Sequence, residues 1–322
     1  MPARLSLLAV ILLAGSTGIA SPQSTRDESW RAPLANRNQF PPAFLFIALE
    51  PERATVLAKG ERSLFFNFDY SNILLLQDTT NEDLDIDLES LRVNFQIKYG
   101  LAQDLELAAA LPIYVMHGGF LDRFISSYHN ALNIPNRVRD REPNNIFRYR
   151  WEIGDQLITD QTEGFAALGD LTLQVKRAVR WKKLKETELA VRAGLKLPTG
   201  SRGRFVSSGG TDFAFGGEIS RVWEKVGAYF NINYNITSDL EEVRSKNFLF
   251  FMGAVDWRFK PTLAAVLQYQ QFQRFLESEI KVLKQFAQQL TVGLRWRRSD
   301  RLVLEWRLAE DISSTSPDFT VG

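Results

Sequence analysis

The only two histidines of the chain lie in one polar stretch that also contains candidate nucleophiles and carboxylates. The relevant side chains are Asp122, Ser126, Ser127, His117, His129 and Glu142. A hydrolase needs a serine whose proton is taken by a histidine that a third group holds in place. No nucleophile motif surrounds these serines, and two isolated histidines without cysteine or paired spacing are poor metal ligands. We therefore expect no catalytic residue, no metal and no cofactor, and interpret residues 114–169 as a solvated loop.

Two further segments have compositions that are found in ligand-binding loops. The glycine-rich residues 200–210 lack the Gly-Lys-Ser/Thr ending of a phosphate loop, so they are predicted to form a tight hairpin turn. A run of acids occupies the predicted loop 72–86 and the start of the next strand: Asp78, Glu82, Asp83, Asp85, Asp87 and Glu89. It is expected to be a solvated rim. The alternative is capture of divalent cations that bridge lipopolysaccharide phosphates, although the bending glycine of a calcium loop is missing.

Apolar and polar residues alternate with a period of two over most of the chain, which indicates β-strands. Between Ser90 and Tyr99, for example, every second residue is apolar and the residues between are polar. We predict strands near 62–71, 87–99, 104–113, 170–181, 187–197, 211–222, 226–237, 247–259, 262–273, 285–297 and 301–309. Their connections alternate between short turns and long loops. This sorting is typical of an antiparallel transmembrane β-barrel, here of about twelve strands.

Aromatic residues recur where the predicted strands meet the short turns. They are Tyr99, Trp181, Trp223, Trp257 and Trp296. In a barrel they would form a girdle at one membrane interface, where amphipathic rings rest between headgroups and acyl chains.

The polar faces of the predicted strands carry charges of both signs. The candidate lumen-lining residues are Arg92, Lys98, Lys176, Glu188, Arg192, Lys196, Arg295, Glu305 and Arg307. These charges would either pair and fill the interior, or, through a slight basic excess, favour anionic solutes. A barrel of about twelve strands lies between the filled eight-stranded kind and the open sixteen-stranded porins.

An amphipathic helix is predicted over residues 120–132, with Phe120, Phe124 and Tyr128 on its apolar stripe. We consider two placements. The helix would constrict the lumen as a gating loop, or it would lie outside the pore as an interfacial or partner-binding helix.

Both ends of the chain bear on how the barrel is built. Residues 1–20 have the charged start, apolar run and small residues of a signal peptide. Residues 21–60 are Pro-rich and irregular, as a plug or a periplasmic lead-in would be, and residues 61–322 would form the barrel. A spanning barrel needs an even number of strands and no open edge. Residues 318–322 therefore read as the truncated start of a twelfth strand; the alternative is that the N-terminal segment closes the sheet.

Three motifs resemble those of a family of uncharacterised Gram-negative outer-membrane proteins, catalogued only as a domain of unknown function. They are Pro-Leu-Ala-Asn-Arg-Asn-Gln-Phe-Pro at 33–41, Lys-Leu-Pro-Thr-Gly-Ser at 196–201 and Ser-Ser-Gly-Gly-Thr-Asp-Phe at 207–213. The resemblance runs from about residue 33 to the end. It implies a fold and a bacterial outer-membrane location, and it implies no activity.

The leading functional hypothesis is a narrow channel or small-solute transporter, gated by the N-terminal segment, by residues 114–169, or by both. The alternative is a closed structural or surface-binding barrel that contacts lipopolysaccharide or a partner through its long loops. A membrane-embedded hydrolase is a third reading. Expected partners are outer-membrane lipid, lipopolysaccharide, the barrel-insertion machinery and small solutes. A formal net charge of +1 gives no reason to expect nucleic acid.

Overall fold

The computed structural model describes residues 28–131, 139, 142–181, 186–240, 243–312 and 319–322, without the side chains of Tyr128 and His129. The predicted signal peptide lies outside these residues.

Strands dominate the described chain, and short helical segments interrupt them. The helical segments are two 3-10 helices (Pro41–Leu45 and Arg202–Arg204), α1 (Asp122–Ala131) and α2 (Lys281–Lys284). The strands of the first half are β1 (Arg62–Asp78), β2 (Glu82–Ala102), β3 (Leu105–His117), β4 (Arg148–Ile153), β5 (Gln156–Gln161), β6 (Phe165–Leu168), β7 (Leu171–Ala178) and β8 (Glu188–Leu197). Those of the second half are β9 (Asp212–Val222), β10 (Val226–Ile236), β11 (Phe248–Lys260), β12 (Leu263–Phe272), β13 (Ala287–Ser299), β14 (Leu302–Asp311) and β15 (Phe319–Val321).

Twelve antiparallel strands close into a barrel in the order β1-β2-β3-β7-β8-β9-β10-β11-β12-β13-β14-β15. Closure depends on β15, because Val321 pairs with Leu308 of β14 on one side and with Tyr70 of β1 on the other. The predicted barrel of about twelve strands is confirmed, and the predicted twelfth strand is present over Phe319–Val321. The alternative in which the N-terminal segment closes the sheet is wrong, because residues 28–61 form no strand.

The loops after β1 and β3 contain more strand than the sequence pattern predicts. Instead of a loop over 72–86, β1 and β2 form one long hairpin with the connection 79–81. The interval 114–169, predicted as a loop, also contains β4, β5 and β6, and β4 extends the upper part of β2. Alternating apolar residues such as Ile73, Leu84 and Ile86 continue the strand pattern past the predicted boundaries, because the extended hairpin contributes to the buried apolar core.

The barrel interior has a polar half and an apolar half. We call the end with residues 103–104, 223–225 and 300–301 the short-turn end, and the opposite end the long-loop end. Charged and amide side chains fill the interior toward the short-turn end. Toward the long-loop end a core of buried apolar residues includes Phe44 and Tyr114, whose ring centroids lie 4.3 Å apart.

The outer face of the barrel is apolar. Val191, Phe215, Leu267 and Val292 point outward and are 47–53% exposed. Large exposed apolar residues on most strands form a continuous belt. The apolar area of this belt is far larger than the apolar patches on the surface of a soluble protein. Within the part of the chain that the structure describes, no helix is long and apolar enough to cross a membrane.

Candidate functional site: the barrel lumen and its N-terminal segment

Residues 28–57, which we call the lumen segment, enter the barrel from the short-turn end. Arg31 donates from Nη1 to the carbonyl oxygen of Trp223 in a short turn, at 2.9 Å. Farther in, Asn36 donates from Nδ2 to Gln270 Oε1 of β12 at 2.7 Å. The chain then turns at the 3-10 helix Pro41–Leu45, whose Phe44 packs in the apolar core. The first arm of the segment thus rises from the polar half to the apolar half.

The second arm returns to the end at which the first arm began. Ile47 donates its backbone N–H to Asp212 Oδ2 at 2.9 Å. Below it, the Ala54 N–H donates to Ser220 Oγ at 2.9 Å, and the Leu57 N–H donates to Glu106 Oε2 at 2.9 Å. Because backbone groups of the segment bond to side chains of the wall, the segment fills the lumen without joining the sheet.

Glu50 of the returning arm completes one buried ion network, which we call the Glu50 network. Its carboxylate pairs with Arg92 of β2. Arg92 also pairs with Asp69, which is shared with Arg307. The remaining members are Glu305, 3.0 Å from Arg307, and Arg295, 3.1 Å from Glu305. The wall supplies three bases and two acids, so Glu50 makes the network neutral.

Glu52 occupies the same position in a second network, the Glu52 network. Its oxygens lie 2.6 Å from Lys98 Nζ, 3.0 Å from Lys176 Nζ and 3.2 Å from Arg192 Nη1. The wall acids of this network are Glu218, 2.9 Å from Lys176, and Glu106, 3.9 Å from Lys98. Here too the wall contributes three bases and two acids, and the segment supplies the third acid.

Two further ion pairs and one hydrogen bond from a charged amine help to fix the rest of the segment. Arg31 pairs with the buried Asp256 of β11, and Arg53 Nη2 lies 2.5 Å from Glu188 Oε1. Near the turn of the segment, Lys196 Nζ donates to the carbonyl oxygen of Leu45 at 2.5 Å. Buried charges are tolerated only when they are paired, and here each arm of the segment supplies partners that the wall lacks.

Arg37 is the buried cation of the segment that has no carboxylate partner among the described residues. Its Nη2 donates to the carbonyl oxygens of Ala43 and Phe46, both at 2.8 Å, which braces the turn. Beside it lies a cavity of about 10 Å³, room for about one water molecule, which Phe248 and Phe275 also line. The turn of the segment is therefore tightly packed.

The nine predicted lumen-lining residues, from Arg92 to Arg307, all lie on the inner face. Seven of them are buried, and the side chain of Arg295 is 12% exposed. Glu188, at the short-turn end, has a side chain that is 30% exposed. The sequence pattern did not assign their partners: Asp69, Asp212 and Asp256 on the wall, and Glu50, Glu52 and Arg53 on the segment. A period-two reading finds charges on strands, but it gives no register for an irregular segment.

Helix α1 lies on the outer face of the β1–β2 hairpin. Phe120 stacks on Tyr70, an outward residue of β1, at 5.6 Å between ring centroids, and its backbone N–H donates to Glu89 Oε1 at 2.9 Å. The carboxylate of Asp122 accepts from Asn72 Nδ2 at 3.0 Å. Phe124 is 56% exposed, and the predicted contact of Tyr128 lies outside the described side chains. Of the two placements considered for this segment, the one outside the pore agrees with these contacts.

Two of the side chains considered for catalysis, Ser127 and His117, are used in local structure, and the side chain of His129 lies outside the described residues. Ser127 Oγ donates to the carbonyl oxygen of Arg123 at 2.7 Å, one helical turn back. His117 Nδ1 accepts the Gly119 N–H at 2.9 Å, and its Nε2 lies 3.4 Å from the Tyr70 hydroxyl. Across the described residues, no group of three or more acidic, histidine or cysteine side chains is placed to hold a metal ion.

The predicted acidic rim is more buried than its composition suggests. Glu82, Asp87 and Glu89 are buried, and Glu82 accepts from Trp151 Nε1 at 2.9 Å. Asp87 lies on the outward-facing side of β2, two residues farther from the short-turn end than Glu89, and pairs in the sheet with Arg148 of β4. Burial, reinforced by the charge of Asp122, raises the pKa of Asp87 to about 7. The expectation of a wholly solvated rim therefore fails for these three acids. Residues 120–121 before α1 cover Glu89, β4 lies beside Asp87, and Trp151 together with residues 278–279 covers Glu82.

The five aromatic residues predicted to form a girdle lie near the short-turn end. Trp181, Trp223 and Trp257 are 46–59% exposed, and Tyr99 is 37% exposed. Trp296 stacks on Trp306 of the neighbouring strand, with centroids 6.3 Å apart. They lie next to one edge of the outer apolar belt.

The barrel is closed, antiparallel and twelve-stranded, with an apolar exterior and a charged interior that the lumen segment fills. These features define the class of protein as a transmembrane β-barrel. The chain belongs to the family described as "Protein of unknown function (DUF3187)", whose model matches residues 10–322. This confirms the resemblance seen in the sequence.

The fold also resembles that of a solved outer-membrane barrel. The crystal structure of the COG4313 outer membrane channel from Pseudomonas putida F1 matches with a TM-score of 0.57 at 12% identity, over 85% of this chain and 97% of that one. The Ralstonia pickettii toluene transporter TbuX matches more loosely, with a TM-score of 0.40 at 9% identity, over 81% of this chain and 78% of that one. No curated protein matches the chain by sequence.

Proposed function

We propose that the protein is a bacterial outer-membrane channel for small solutes, closed by the lumen segment. The observation that carries the proposal is the way the segment is held. It is attached to the wall by ion pairs and by hydrogen bonds to side chains, not by strand pairing. Such contacts can be replaced by water and solute when the segment leaves, whereas removing a strand would open the sheet.

The outer face supports a location in lipid. A belt of exposed apolar residues suits hydrocarbon, and the aromatic residues near the short-turn end suit an interface. By analogy with barrels of this class, the short turns face the periplasm and the long loops face outward. Lipopolysaccharide, outer-membrane lipid and the barrel-insertion machinery are the partners that this location implies. The proposal includes no catalytic step and no cofactor.

The test is single-channel conductance of the refolded full-length chain in a planar lipid bilayer. Glu50→Arg/Glu52→Arg places two bases against wall bases and should expel the segment, so we expect stable conductance steps that the parent shows rarely. Glu61→Arg/Asp104→Arg, which alters two partly exposed carboxylates near the short-turn end and outside both networks, is the matched control and should behave like the parent. A charge-reversed barrel that is folded, as judged by heat-modifiable gel migration, and never conducts would contradict the channel.

The second candidate is a closed barrel that binds a surface ligand through its outer loops. The position of α1 favours it, because a helix held on the outer face by Glu89 and Asp122 cannot restrict the lumen. Deletion of residues 119–131 separates the two functions. Under the channel proposal, the conductance of the Glu50→Arg/Glu52→Arg chain is unchanged by this deletion. Under the alternative, binding to vesicles that contain lipopolysaccharide is lost.

A further inference from the structure

The two carboxylates of the returning arm occupy positions that a solute could take. Each of the two ion networks contains three bases and two acids from the wall, and one acid from the lumen segment. Withdrawal of the segment therefore leaves one uncompensated positive charge in each network. We propose that Glu50 and Glu52 stand in for the two carboxylates of the transported solute, a small organic dicarboxylate. This inference rests on the channel function proposed above.

The Glu52 network shows best why the missing group is a carboxylate. Two amines and one guanidinium converge on its two oxygens, within 2.6–3.2 Å. Ammonium groups and the planar fork of arginine are strong charge-assisted donors to a carboxylate. The three bases come from β2, β7 and β8, so the wall holds them together whether or not the segment is present.

The Glu50 network supplies the second half of the site. Arg92 contacts the Glu50 carboxylate, and Asn94 Nδ2 donates to the same oxygen at 3.2 Å. Arg92 is 2% exposed, and its other carboxylate partner, Asp69, is shared with Arg307. Because Arg92 shares this carboxylate with another base, it can bind a further anion strongly, in a site from which water is largely excluded.

The two sites are filled by neighbouring side chains of the same arm. Residues 50 and 52 are two steps apart, so their Cα atoms are separated by at most about 7 Å. This proximity along the arm favours one small molecule with two carboxylates over two separate anions.

The charge excess is local. Next to the two networks, Lys196 is paired with both Asp170 and Asp212, which leaves that part of the wall with one extra negative charge. Glu188, at the short-turn end, loses its partner Arg53 when the segment leaves. The dicarboxylate site thus lies between two acidic positions, which disfavours a simple anion-filled pore and favours discrete binding.

The test is ligand-dependent thermal stability of the full-length chain, followed by heat-modifiable gel migration. In Glu50→Gln/Glu52→Gln both carboxylates are replaced by amides of the same shape, so the two wall charges lack their partners. We expect glutarate to raise the unfolding midpoint of this variant at concentrations at least tenfold lower than valerate, which has the same chain length and one carboxylate. The parent, whose site is already occupied, should not respond, and 1,5-diaminopentane should stabilise neither protein.

Several results would overturn the dicarboxylate assignment. Equal effects of glutarate and valerate, stabilisation by the diamine, an equal response of the parent, or an effect of sulfate as large as that of glutarate would each do so. If the double variant fails to fold, Glu52→Gln alone retains one carboxylate and should respond to valerate nearly as strongly as to glutarate. Glu61→Gln/Asp104→Asn is the matched control and should respond like the parent.

Conductance distinguishes this failure from failure of the channel proposal. A variant that conducts but is not stabilised by glutarate refutes the dicarboxylate and leaves the channel intact. A variant that glutarate stabilises but that never conducts refutes the channel and shows a binding site in a closed barrel.

Discussion

Glu52 lies within 3.2 Å of the side-chain nitrogens of both Lys98 and Arg192, although the three residues belong to three separate parts of the chain. One irregular residue thereby connects β2 with β8 across the barrel interior. Breaking a buried ion pair by removing one partner typically costs about 3–5 kcal/mol, since the remaining charges stay in a poorly solvated place. The docking of the lumen segment should therefore respond sharply to single changes at this position.

The first prediction concerns the docking equilibrium of the segment. The chain has no cysteine. Ala54→Cys therefore introduces a single thiol at a position that is 2% exposed in the docked segment. Adding Glu52→Gln should accelerate maleimide labelling about 100-fold, which corresponds to about 3 kcal/mol. Adding Glu61→Gln should leave the rate within about twofold, and equal rates in the two variants would show that Glu52 does not hold the segment.

The second prediction concerns the segment as a gate. The Ala54 N–H donates to Ser220 Oγ at 2.9 Å, so the two Cα atoms are near enough for a disulfide. Ala54→Cys/Ser220→Cys combined with Glu50→Arg should be silent in a bilayer when oxidised and should conduct after reduction. Conductance that does not change on reduction would place the gate elsewhere. The single Ser220→Cys variant controls for the reductant.

The third prediction is a pH dependence at the outer hairpin. Asp87 has a raised pKa of about 7 in the folded protein against 3.8 as its ordinary value. Its ionisation therefore opposes folding, and the loss of stability develops as pH rises from about 4 to about 7. Asp87→Asn should unfold at a higher temperature than the parent at pH 8 and at the same temperature at pH 3.5. Asp78→Asn, an exposed acid of the same hairpin, is the control, and a difference independent of pH would refute the assignment.

The fourth prediction concerns the aromatic residues at the short-turn end. Trp257 is 58% exposed, whereas Trp151 is fully buried in the apolar core. In single-tryptophan variants refolded into vesicles, lipids brominated close to the headgroup should quench Trp257 strongly and leave Trp151 nearly unquenched. Equal quenching of Trp257 by bromines at the acyl-chain end would remove it from an interface.

The sequence was sufficient for the barrel because alternation reports which face of a strand is buried. Arg92, Lys98 and Lys176 could be assigned to the inner face in this way, since one face must meet an apolar environment. The length of the β1–β2 hairpin was missed, because Asp83, Asp85 and Asp87 look like a loop when the neighbouring strand, β4, is unknown. The alternation of residues reports local strand structure, whereas burial of a strand by other elements depends on the tertiary fold.

The position of residues 28–57 was beyond such reading for a different reason. An irregular segment has no period, so Glu50 and Glu52 cannot be assigned to a face from the sequence. The sequence shows a slight basic excess on the inward faces, but only the structure, which brings Lys176 next to Glu218, divides that excess between two networks with one surplus base each. The signal was present in the inward charges, but it needed strand pairing to be counted.

The hairpin path of the lumen segment has a consequence for assembly and for force. Because the lumen segment enters and leaves the barrel at the short-turn end, it is not threaded through the barrel. The strands can therefore close first, and the lumen segment can dock into the closed barrel afterwards. The same geometry means that the lumen segment would leave the barrel through the short-turn end. A pulling force at the short-turn end would break the ion pairs along the segment in succession. Pressure from the long-loop end would instead press Phe44 and its neighbours against the two arms.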